Sequence, residues 1–131
     1  MSNQNKKLKI AQIAPFGTPI SAKQNKAIYS HIAHLVDGFV VKKNIVTLFG
    51  NPKSEVKGKI VGSIFNVDNN EEYKATLLRY EQWGLLSDCY FQAKQGLFDV
   101  IHSHLTVMTG FFSRIEKKTP TLISIHSPIE A

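Results

Sequence analysis

The sequence predicts an α/β fold, a Rossmann-like parallel sheet with helices on both faces. Short β-branched runs alternate along the chain with longer segments whose apolar residues recur every three to four positions. Strands separated in this way need crossover connections, and crossovers make a parallel sheet. The strand centres Val100-Ile101 and Leu122-Ile123 are continuously apolar, as a sheet buried on both sides requires.

The first strand is Lys9–Ala14, closed by the turn signal Pro15-Phe16-Gly17. A polar loop, Thr18–Gln24, contains Pro19. From Asn25 the period changes: Ile28, Ile32, Leu35, Val36 and Phe39 line one helix face. Gly38 costs that helix about 1 kcal/mol against alanine, so an early end is expected. Ile45–Phe49 is the second strand and Lys59–Phe65 the third, weakened by Gly62.

Asn69 or Asn70 can cap a second helix, with Glu71 and Glu72 at the positive end of its dipole. It runs through Tyr73, Leu77, Tyr80, Trp83 and Leu86 to Gln95, with a bend expected near Gly84 and a stop at Gly96. Phe98–His102 is the fourth strand. Val107–Lys118 follows as a short helix with Met108, Phe111, Phe112 and Ile115 inward, and Pro120 opens the fifth strand, Thr121–Ile125.

The 131 residues suit one domain of about 100–200 residues. Residues 1–8 read as a flexible basic tail and 9–131 as the Rossmann-like domain. With 43% hydrophobic and 20% charged residues, the chain can bury a core, which excludes a disordered protein. No apolar run approaches the roughly 20 residues of a bilayer span. The basic start is not followed by the apolar stretch of a secretory signal, so a cytoplasmic location is expected. The lone Cys89 excludes an internal disulfide framework and a multi-cysteine zinc site, and without basic neighbours it reads as a buried, inert thiol.

Sixteen Lys and Arg against ten Asp and Glu give a net charge of +6. No run combines several basic residues with stacking aromatics, so nucleic acid is not an expected partner. Diffuse positive charge suits an anionic substrate or peripheral contact with an anionic membrane surface.

In an open parallel sheet, ligands bind beyond the carboxyl ends of the strands, where strand order reverses. With the order 3-2-1-4-5, the segments Pro15-Phe16-Gly17, Ser103-His104-Leu105 and His126-Ser127-Pro128 share that edge. His102 and His104, two apart on a strand, share a face. One reading lets them hold a metal with His126 as third ligand, in an unrelated metal-dependent hydrolase; no acidic or cysteine residue in these loops completes such a site. The other packs His102 inside and lets His104 alone reach the cleft. His31 and His34 read as an edge-of-core or solvated pair on the first helix. Dinucleotide, phosphate-loop and nucleophile-elbow motifs are absent.

Five segments carry a resemblance: KIAQIAPFG (Lys9–Gly17), SHIAHLV (Ser30–Val36), VTLF (Val46–Phe49), FDVIHSH (Phe98–His104) and TPTLISIH (Thr119–His126). In order and spacing they resemble the N-terminal, acceptor-side domain of family 4 glycosyltransferases of the two-domain GT-B type. The resemblance spans nearly the whole chain from Lys9, with Pro52–Gln95 nonspecific. It implies sugar transfer from a nucleotide-sugar to an acceptor with retained anomeric configuration, and neither cofactor nor catalytic metal. His126 matches the catalytic-site histidine that faces the donor sugar, while His104, Phe16 and Gly17 match substrate-binding positions.

Where such enzymes open the first helix with a Gly-Gly pair and then an acidic residue, this chain has Lys23-Gln24-Asn25-Lys26. The family's C-terminal donor-binding domain, with its E-x7-E pair, is not in these residues. The resemblance therefore implies a portion truncated after the fifth strand and inactive alone. The alternatives are a non-catalytic binding or scaffold module, or one half of a two-chain transferase.

Overall fold

A computed structural model, which describes residues 6–62 and 74–126, builds the sheet outward from its first strand. β1 (Lys9–Ile13) pairs in parallel with β2 (Ile45–Phe49) on one side and β4 (Val100–Ser103) on the other. β3 (Lys59–Val61) lies outside β2, and β5 (Thr121–Ile123) outside β4. The order is β3-β2-β1-β4-β5, all parallel, as expected. β1, buried without a break from Ile10 to Ile13, thus takes the central place, where both faces are covered.

Alternation along the strands builds two separate cores. Ile10, Ala14, Val46 and Leu48 pack beneath α1 (Ala27–Val41) through Ile32, Ala33 and Val36. Ala11, Ile13, Phe49 and Ile101 point the other way, onto Leu85, Leu86 and Cys89 of α2 (Lys74–Lys94). α3 (Thr106–Ser113) joins this second layer, where the Phe112 ring stacks on Tyr90 at 5.6 Å. The domain is α/β, with helices on both faces of a Rossmann-like sheet.

Several boundaries differ from expectation. α1 continues through Gly38 to Val41, because Phe39 and Val40 beyond it pack on the sheet and offset the weak propensity of one exposed glycine. α2 is unbroken at Gly84 and stops at Gly96, whose φ of +80° lets the Leu97 N–H donate back to the Gln92 carbonyl and its own N–H to that of Ala93.

α3 is shorter than the pattern suggests. Met108 and Phe112 pack inward, but Phe111 lies on the outer face of the helix, and Ile115 is exposed because the helix ends at Ser113 and leaves it past the last turn. Its fully buried position is Thr109. That hydroxyl bonds the Leu105 carbonyl and lies 2.6 Å from the Ser103 hydroxyl, fixing the β4–α3 junction.

The sequence places Leu8 in the basic tail, yet its N–H donates to Asn44 and its carbonyl accepts from Ile45, which docks it beside β2. Residues 1–5 lie outside the described residues. So do Phe65, the capping candidates Asn69 and Asn70 with Glu71, Glu72 and Tyr73, and Ser127-Pro128. No described helix is long and apolar enough to cross a membrane.

Candidate functional site, a histidine network at the carboxyl edge of the sheet

The register of three adjacent strands assembles the site. Gln12 of β1 lies opposite His102 of β4, which lies opposite Leu122 of β5. Period-two alternation then puts Gln12, His102, His104, Ser124 and His126 on the face that carries α1. Toward the amino end this face is apolar, but at the carboxyl edge it turns polar.

These side chains meet in one unbroken chain of close polar contacts. Ser124 Oγ is 2.7 Å from Nε2 of His102, whose Nδ1 is 3.0 Å from Nε2 of Gln12. Gln12 Oε1 is 2.9 Å from Nε2 of His104, and Nδ1 of His104 is 2.8 Å from Nε2 of His126. The rings of His102 and His104 are 4.4 Å apart, and His104 stacks on His126 at 5.1 Å. His31, from the first turns of α1, sets its ring edge-on to His126 at 6.1 Å.

Exposure grades along the chain. Gln12 is fully buried and His104 is 5% exposed, whereas His126 and His31 stand at the surface. The network therefore reaches solvent at His126.

Its electrostatics follow from burial, with no counter-charge beside the rings among the described residues. Burial first, and then the imidazoles of His102, His126 and His31, hold His104 down to about 3. His102 is lowered for the same reasons, burial leading and His126 and His31 following. The buried rings are therefore neutral near pH 7, able to donate or accept hydrogen bonds at fixed positions.

The two buried histidines do share a face, but their nitrogens are spent on Gln12, Ser124 and His126. Among the described residues, no group of three His, Cys, Asp or Glu side chains is arranged to hold a metal ion. His102 is packed inside, as one of the two readings has it. His104 is packed there too, and it is His126 above it that meets solvent.

The Phe16-Gly17 turn sits at the same edge, after β1, but its aromatic ring points to the opposite layer. Phe16 is buried in the α2-side core. Its N–H donates to Gln82 Oε1, and its carbonyl accepts from Asn51 Nδ2 at 2.9 Å. Gly17 is the exposed backbone of this turn, beside Leu78. Lys23 and Lys26 are exposed before α1, whose amino end has no side-chain cap.

The sequence matches no protein-family model and no curated protein. Any account of function therefore rests on the residues themselves.

Three members of the network are missed by reading motifs. Gln12 carries a signal in hindsight: it is the one polar side chain between Ile10 and Ala14 in a strand buried on both faces, where a polar group needs a partner. Ser124 and His31 carry none, since only the register and the path of α1 bring them near. Glu81 is also buried, and burial raises its pKa; its Oε2 has no hydrogen-bond partner among the described residues. It lies on the α2 side, in the same layer as Phe16.

Proposed function

We propose that this chain is the N-terminal, acceptor-side portion of a retaining glycosyltransferase of the GT-B, family 4-like kind. It would move a sugar from a nucleotide-sugar to an acceptor, and by itself it is inactive. The observation that carries this reading is the stacked pair His104–His126, which joins the ends of two neighbouring strands at the edge where open α/β sheets take their ligands.

In this reading His126 faces the donor sugar. An imidazole there hydrogen-bonds a sugar hydroxyl and offsets charge that develops as the bond to the diphosphate breaks. His104 supports it from beneath, and the exposed Gly17 backbone borders the acceptor and diphosphate. The grip on the nucleotide belongs to a second domain. The net charge of +6 favours anionic ligands and supports contact with an anionic membrane surface.

The test is a nucleotide-sugar turnover assay on the 131-residue chain, run beside the product of its whole reading frame. Transfer by the longer product and none by the 131 residues supports the reading. Turnover by these residues alone, or none by either across a panel of nucleotide-sugars, contradicts it.

A second reading, a non-catalytic binding module, is favoured by a different feature. Tyr90, Phe91, Phe112 and Ile115 line an open cavity of about 270 Å³ between α2 and α3, remote from the histidines on the opposite face. A partner captured by the wild type and lost by Ile115→Glu supports that reading; a chain that stays monomeric and solitary contradicts it.

A further inference from the structure

The histidine network has a direction, and one residue sets it. A neutral imidazole carries one N–H donor and one lone-pair acceptor, whereas a primary amide carries a donor at one end and an acceptor at the other. Gln12 lies between two imidazoles and offers a different end to each. Its Nε2 faces Nδ1 of His102 at 3.0 Å, so that nitrogen accepts and the His102 proton sits on Nε2, donated to Ser124 Oγ. Its Oε1 faces Nε2 of His104 at 2.9 Å, so that nitrogen donates and Nδ1 of His104 accepts. The remaining bond then has only one sense: Nε2–H of His126 donates to Nδ1 of His104.

We infer that Gln12 is a positioning residue, whose fully buried amide holds all three rings in the Nε2–H form and leaves Nδ1 of His126 as a lone-pair acceptor for a ligand hydroxyl. Turning the amide over reverses every bond in the chain. Gln12 would then accept from His102 and donate to His104, His104 would donate to His126, and His126 would present an N–H outward. The amide's orientation therefore decides whether the exposed imidazole takes a hydrogen bond or gives one.

Among the described residues, the titratable side chains near these rings are the imidazoles themselves, His102 from β4, His104 directly after it, His126 after β5 and His31 from α1, and no carboxylate joins the chain of contacts. An amide also does not pass a proton readily, so Gln12 separates the Ser124–His102 half from the His104–His126 half.

The chemistry follows. A neutral acceptor nitrogen takes a hydrogen bond from a hydroxyl, the group that sugars present in number, and it disfavours a carbonyl or phosphate oxygen. The consequence for transfer rests on the reading of His126 proposed above; the protonation pattern itself does not.

The experiment is NMR on the uniformly ¹³C,¹⁵N-labelled full chain at neutral pH, with the ring nitrogens of His102, His104 and His126 assigned. The expected result is a protonated Nε2 and an unprotonated Nδ1 on all three rings in the wild type. In Gln12→Met, which neither donates nor accepts an N–H···N bond there, His126 is expected to lose that uniform state and show both forms. A protonated Nδ1 on His104 or His126 in the wild type overturns the inference, as does an unchanged His126 in Gln12→Met.

Should Gln12→Met fail to fold, the wild-type spectrum carries the test, since a protonated Nδ1 on any of the three rings overturns the inference. No substrate enters these spectra, so their failure and the failure of the transferase assay are read separately.

Discussion

His104 and His126 sit 2.8 Å apart, nitrogen to nitrogen, with their rings stacked at 5.1 Å and tilted by 23°. One ring is buried and the other exposed. The pair therefore links a rigid interior to solvent: Gln12 fixes His104, and His104 fixes the inner nitrogen of His126. An exposed side chain held in this way loses less freedom when it engages a ligand than one free to rotate.

The network makes stability depend on pH. A histidine lowered in the folded state, from 6.5 to about 3 for His104, takes its proton less readily there than in the unfolded chain. Above pH 6.5 both states are neutral and stability is complete. As pH falls from 6.5 toward 3 the unfolded chain gains the proton first, and His104 alone costs about 1.4 kcal/mol per pH unit, with His102 adding loss of the same sign. Urea midpoints measured from pH 7 to pH 5, where ordinary carboxylates stay ionised, should fall steadily. A flat profile over that range contradicts a neutral, buried pair.

Gly38 gives a prediction of the opposite sign. It is exposed within α1, and a Cβ built there meets nothing within 4 Å. Gly38→Ala should therefore stabilise the domain by about 0.5–1 kcal/mol, through helix propensity and a less flexible unfolded chain. Thermal and urea unfolding measure the change.

Cys89 is fully buried under the α2 layer, and burial, with Asp88 adding, pushes its thiol up. A thiol reagent such as DTNB should leave the native chain unmodified at pH 8 and react at once in denaturing urea. Fast reaction of the native protein would place α2 elsewhere.

Much of this architecture was legible because its signals are local. The alternation of short β-branched runs with helical periods identifies the strands, and the crossover rule then orders them around Lys9–Ile13. His102, His104 and His126 were legible as a group because strand-end positions converge in any open parallel sheet.

What the chain does not announce is long-range. Gln12 and His102 stand 90 residues apart in sequence, and only the strand register makes them partners. His31 looks like a solvated helix residue until the path of α1 brings its ring to His126. Phe16, read as part of a ligand loop, turns its ring into the core because Leu85, Leu86 and Phe98 offer an apolar layer there. Ile115 departs from the inward face for a simpler reason: the apolar period continues past the end of α3 at Ser113.

The most direct test of the central claim is the turnover number of the whole reading frame's product with and without the His126 ring. His126 is exposed, so His126→Ala should fold as the wild type does. If this imidazole faces the sugar during transfer, kcat should fall by about 10² or more. A variant that folds normally and transfers sugar at the wild-type rate would contradict the claim.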